Sequence, residues 1–287
     1  MAKARKILKH AKAVASIRTV TNTMAMVASA RYRKAYDKLV AARPYISQLT
    51  EIAGNLVGAC EDLDHPLLRE QEKIRRSAMI VLTSNSGLCG PYNSNVLHVA
   101  VDRIRKLSSD GCDIELYAVG KKGIHYLNYQ KCRIDRSYTN FNYIPDFAAV
   151  AAIGEEFISA FSAGRISSLD AVYTQYLSSG HQEPAILRIL PMARPVAKDK
   201  SRTIFEFIPS PREILQTLLP AVVRLRLYQC FLDASVSEQF SRVRAMKAAT
   251  ENADEMIHNL TVRYNRTRQA QITTELAEIM GGAAGVK

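Results

Sequence analysis

Glycine and proline are missing where a chain of 287 residues would ordinarily place several of them: residues 3–43 contain neither, and from Pro220 none recurs until Gly281-Gly282. Two uninterrupted helical segments, one at each end, follow from that absence. Long apolar runs are also missing. Ser77 to Ser84 and Ala148 to Ile153 are the longest and fall far short of a bilayer span, so the chain does not cross a membrane as a helix. Five cysteines, odd in number and without a C-x-x-C pair, argue against a disulfide framework or a zinc site and for a reducing compartment. Neither G-x-G-x-x-G nor G-x-x-x-x-G-K-[ST] occurs, which removes the usual phosphate cradles. The six histidines are scattered without an H-x-x-x-H pair and read as surface or packing residues.

Acidic residues are scarce at the start. Residues 1–43 hold eleven Lys or Arg against Asp37 alone, so nearly all of the formal charge of +12 sits there. Such a block faces something anionic: nucleic acid, a membrane surface or an acidic protein. Lys3, Arg5, Lys6, Lys9 and Lys12 could neutralise phosphates, but no aromatic residue appears before Tyr32 to stack on bases. An apolar stripe through the same segment (Ile7, Ala11, Val14, Ile17, Thr21, Met24, Ala28) recurs at three and four residues and favours a protein partner.

Pro44 should kink or break the first helix, which resumes to about residue 60. At the other end, Ser210-Pro-Arg-Glu213 carries an N-cap Ser, a first-turn Pro and Glu at N3. A short helix should reach Leu219, and Pro220 should open a new one of some sixty residues, roughly 90 Å at 1.5 Å per residue. Its stripe reads Val243, Met246, Ala249, Ala253, Met256, Leu260 and Tyr264, then Ile272, Leu276 and Ile279. Between the helical ends, strands at 78–83, 114–119, 171–176, 186–190 and 204–207 alternate with helices at 93–107 and 146–163, the pattern of a largely parallel sheet. The expected fold is therefore α/β: a long antiparallel coiled coil of the N- and C-terminal helices (1–60 and 210–287) with an inserted, Rossmann-like domain at 75–208. Ser86-Gly-Leu-Cys-Gly90 and Gly120-Lys-Lys-Gly123 follow strands and read as tight structural turns, and Cys89, without a paired base, as a small buried residue.

Ser237 to Met256 (SEQFSRVRAMKAATENADEM), Tyr264 to Ile279 (YNRTRQAQITTELAEI) and Gly281-Gly-Ala-Ala284 closely resemble the C-terminal signature of the γ subunits of F-type ATP synthases. Val20-Thr-Asn-Thr-Met-Ala-Met-Val-Ala28 and Arg43-Pro-Tyr45 resemble that family's first helix, and Gly87-Leu-Cys-Gly90 its first strand-to-loop turn. The chain departs from the family at Asn85-Ser86 and Ser16-Ile17. The resemblance implies a noncatalytic rotor shaft without cofactor, nucleic acid or small-molecule ligand. Its partners would be three α and three β subunits, ε and the membrane c-ring, on the cytoplasmic face of a bacterial plasma membrane. It further implies torque-transmitting contacts at Met24, Arg242, Gln269 and Thr273, and c-ring or ε contacts at Phe205 and Glu206.

Overall fold

The computed structural model describes residues 2–59, 65–69, 75–192 and 210–284, so the expected strand at 204–207, with Phe205 and Glu206, lies outside the described residues. In chain order the elements are α1 (Ala2–Ala59), β1 (Arg76–Leu82), α2 (Tyr92–Ser109), β2 (Asp113–Val119), α3 (Lys121–Tyr129), β3 (Arg136–Tyr138), α4 (Phe147–Ser162), β4 (Ser168–Tyr176), β5 (Gln182–Leu190) and α5 (Pro211–Ala284). A short 3-10 turn at Pro66–Leu68 is capped by His65, whose Nδ1 accepts from the Leu67 amide at 3.2 Å. No helix among the described residues is long and apolar enough to cross a membrane.

The chain divides into two compact units. The larger, Ser29–Ser241, is built on a sheet of order β3-β2-β1-β4-β5, parallel except for β5. β1 sits at its centre because every residue after Arg76 is buried, as a strand covered on both faces requires. Met79 and Val81 face α2 and α3 with Leu116, Ala118 and Val172, while Ala78, Ile80 and Leu82 face α4 and the early part of α5 with Phe157, Leu219 and Val223. A cis peptide precedes Pro191.

Helices α2, α3 and α4 end alike. A left-handed residue follows each cap (Gly111 at φ 75°, Lys131 at 59°, Gly164 at 69°), and the next amide returns to a carbonyl of the last turn: Cys112 to Leu107, Cys132 to Leu127, Arg165 to Ala160. This closure satisfies free carbonyls and turns the chain back toward the sheet.

The smaller unit, residues 1–28 with 242–287, pairs the start of α1 with the far part of α5. Arg18 meets Asp254, and Thr21 Oγ1 lies 2.8 Å from Thr250 Oγ1, so the two helices run antiparallel, as expected. The covered positions of α1 are 4, 7, 11, 14, 21, 25 and 28, which with Arg18 alternate strictly by three and four. On α5 the sequence 243, 246, 250, 253, 257, 260, 264, 267, 271 does the same. A seven-residue repeat is the pattern of a left-handed supercoil.

Several expectations need correction. The seam takes Arg18, Ala25 and Ile257 where Ile17, Met24 and Met256 were expected, and the side chains of the latter three are exposed; Ala249 is half-buried beside Thr250. Pro220 does not start a new helix: α5 is one helix of 74 residues with Pro220 inside it. Likewise α1 is unbroken through Pro44. An internal proline forfeits a hydrogen bond at a cost of about 3 kcal/mol. Burial of Leu215, Leu219, Val222 and Val223 around one site, and of Leu39 and Ile46 around the other, opposes that loss. Gly281-Gly282 does not end the helix before Ala284. Gly120-Lys-Lys-Gly123 makes its tight turn at the entry to α3, a helix not expected there, and β3, with only three residues, was too short to read.

Candidate functional site

The smaller unit carries an unusual surface for a two-helix pair. Ile17, Val20, Met24 and Val27 are all exposed and recur at three and four residues, forming a second apolar stripe one position away from the seam. On α5, Met256, Val262, Ile272, Leu276, Ile279 and Met280 are exposed as well. Arg5, Lys6, Lys9 and Lys12 precede the stripe along α1, which has no acidic residue before Asp37. Exposed apolar side chains recurring along one helix face are the kind of surface that protein partners cover.

The sheet's loops are built differently. At the end of β1, the Ser84 amide donates to Asn93 Oδ1 at 3.0 Å, Ser84 Oγ donates to the Ser86 carbonyl at 2.7 Å, and Asn93 Nδ2 lies 3.2 Å from the buried Cys89 sulfur. Leu88 and Gly90 both take left-handed backbone (φ 64° and 56°) to close this turn. Gly120 is at φ 93°, and a Cβ there would stand 2.2 Å from the Thr83 carbonyl oxygen. The Gly123 amide donates to Thr83 Oγ1 at 2.9 Å. The polar atoms of both loops are thus spent on joining β1 to β2 and α3, a structural task as the sequence suggested. Burial pushes the Cys230 thiol far up, which suits a packing residue and not a nucleophile.

A family model described as ATP synthase matches residues 3–286. The ATP synthase gamma chain of Rhodopirellula baltica is 39% identical over 100% of both chains, and that of Leptospira biflexa 36% over 100% of both. This chain belongs to the ATP synthase gamma-chain family. Solved structures agree on the fold. A chain of the Euglena gracilis mitochondrial ATP synthase, determined with OSCP, F1 and c-ring in rotational state 3, superposes with a TM-score of 0.67 at 17% identity, covering 99% of this chain and 95% of that one. A chain of the Tetrahymena thermophila central stalk and c-ring gives 0.58 at 22%, covering 80% and 99%.

Within this gamma chain, the site residues named from sequence separate into three groups. Met24, Gln269 and Thr273 lie in the smaller unit and are exposed, Met24 at 44%; the Thr273 hydroxyl donates to the Gln269 carbonyl at 3.0 Å. Arg242 is only 7% exposed and belongs to packed structure, not to an open face. Phe205 and Glu206 are outside the described residues.

Sequence reasoning missed a polar cluster in the larger unit. Arg43 Nη2 on α1 donates to the carbonyl of Tyr176, the last residue of β4, at 2.6 Å, and lies 3.3 Å from Asp233 Oδ1 on α5. Asp233 is 1% exposed, and burial lifts its carboxyl from 3.8 to about 6, with the Arg43 charge and hydrogen bond pulling the other way. A signal was present: Asp233 stands as a lone acid in the otherwise uncharged stretch 227–237, and a buried acid needs a cation.

Proposed function

We propose that this gamma chain is the noncatalytic central-stalk rotor of an F-type ATP synthase, coupling c-ring rotation to conformational cycling of the β subunits. The observation that carries the reading is the exposed stripe of Ile17, Val20, Met24 and Val27 on a thin helix pair, which requires a surrounding partner. Three α and three β subunits form that ring in the proposal, with ATP chemistry on β. A helix pair differing in character from side to side offers each β subunit a different surface. It thereby biases each toward a different state, since a contact shifts an equilibrium only by its differential affinity. Met24, Gln269 and Thr273 are the proposed torque-bearing contacts; Arg242 acts from within the packed structure. Phe205 and Glu206 are proposed to meet ε and the c-ring, which would hold the chain peripherally at the cytoplasmic face of a bacterial membrane. The proposed segments are 1–60, 75–208 and 210–287.

Reconstitution tests this. The chain mixed with α and β subunits should yield a stable complex that hydrolyses ATP and, on membranes carrying ε and the c-ring, pumps protons. Elution with nucleic acid in a strongly salt-dependent manner, and no complex with α and β, would replace the rotor reading with the nucleic-acid one.

A further inference from the structure

A rotor has to grip its own shaft. Apolar packing is non-directional, so a helix held by it alone resists being pulled away more than it resists turning about its axis. Directional bonds at separated points along the helix supply that resistance, and several of those in the larger unit meet at the end of β4. The buried Tyr176 ring sits edge-on to Tyr36 at 5.8 Å and is tilted against Tyr32 at 6.3 Å, while its hydroxyl lies 2.8 Å from the Tyr32 hydroxyl. Its carbonyl takes the Arg43 bond described above. Residues 32 and 43 are eleven apart, close to three helical turns, so both attachments lie on one face of α1 and roughly 16 Å apart along it. The same strand end holds α5: Ser237 Oγ donates to the Thr174 carbonyl at 3.3 Å, and Asp233 closes the link through Arg43.

We infer that Tyr176, with Tyr32 and the Arg43–Asp233 pair, is a torsional clasp that locks both terminal helices to the sheet, so that a turn of the α/β domain becomes a turn of the shaft without slip. Tyr176 is a positioning residue that touches no nucleotide. The inference rests on the rotor reading.

The test uses the assembled complex, with the α and β subunits fixed and a bead on the α/β domain, reading the angular variance of the stalled rotor and proton pumping per ATP hydrolysed. Tyr176→Ala should raise the variance by about twofold and lower pumping per ATP, because a packed interior transmits strain only while it is filled. ATP hydrolysis should continue. Tyr32→Phe and Tyr176→Phe, which remove the same hydroxyl contact, should each raise the variance by the same smaller amount, and the double variant should add nothing further. A Tyr176→Ala complex with the variance and pumping ratio of the wild type overturns the clasp. If that variant does not assemble, wild-type variance in both phenylalanine variants overturns it. A wild-type complex that never turns the bead sinks the rotor reading itself and the clasp with it.

Discussion

Replacing Asp233 by Asn should remove from the free chain's pH dependence of stability one component that runs opposite to that of an ordinary salt-bridged aspartate. Asp233 is 1% exposed, and its carboxyl is lifted from 3.8 to about 6, burial outweighing Arg43. The other titratable groups reaching it are Tyr173 on β4 and Cys230 on α5, both themselves pushed up by burial. A raised folded value means that the native state holds the proton more tightly than the unfolded state. Its contribution is therefore full below 3.8 and is lost as pH rises through about 6. Taken over the whole interval, the shift corresponds to about 3 kcal/mol, and between pH 8 and pH 5 to about 1.4 kcal/mol. Asn cannot titrate. The stability of Asp233→Asn minus that of the wild type should thus rise by about 1.4 kcal/mol from pH 5 to pH 8, or about 3 to 5 °C in the difference of melting temperatures. The subtraction cancels the remaining carboxylates, whose pH dependence both proteins share. Urea melts of the full chain at pH 5, 6, 7 and 8 give the curve. A difference that is flat across these four values, or that falls with pH, would refute the claim that Asp233 is an under-compensated buried carboxylate.

Lys131→Gly should stabilise the chain by about 0.5 to 1 kcal/mol, because Lys131 bears the left-handed backbone that Gly111 and Gly164 adopt without penalty in the same closure; urea midpoints read this directly. Met24→Asp should leave the free chain within about 0.5 kcal/mol of wild type, since the side chain is exposed, yet weaken assembly with α and β subunits about tenfold or more in a titration. Arg242→Glu should destabilise the free chain by about 2 to 4 kcal/mol in thermal melts, as the position is buried and a carboxylate placed there meets contacts shaped for a cation. An unchanged melt would return Arg242 to the proposed torque-bearing set.

The pattern of strands and the two helical ends could be read because each is a local signal: β1 is an unbroken buried run, and the terminal segments lack breakers. Most of the seam was legible, and it was read one residue off at Ile17, Met24 and Met256 for a physical reason. Periodicity favours the largest apolar side chain at each turn, Ile17 or Met24, whereas close antiparallel packing selects Ala25 over Met24 and tolerates polar pairs. Thr21 and Thr250 complete one another, but they are 229 residues apart and neither announces its partner. The prolines misled for the converse reason, since a local rule cannot weigh the burial of Leu219 or Val222 on either side of Pro220. Met24, Gln269 and Thr273 became candidates through the family motif alone, and the structure shows only their exposure, while the Tyr176 cluster needed β4 and both helices folded together.

Along α5 every residue from Cys230 to Ser237 is buried, whereas from Thr250 to Gln271 burial returns only at alternate intervals of three and four. A helix enclosed around its full circumference has no neutral side. A saturation scan of this helix should therefore record two regimes in one continuous element: a comb of tolerant and intolerant positions with a period near 3.5 beyond residue 250, and a flat plateau of intolerance across 230–237. Drift over generations would be free to re-engrave the outer faces of the shaft for new partners while the octapeptide stays fixed, so that specificity and anchorage can change independently in a single helix.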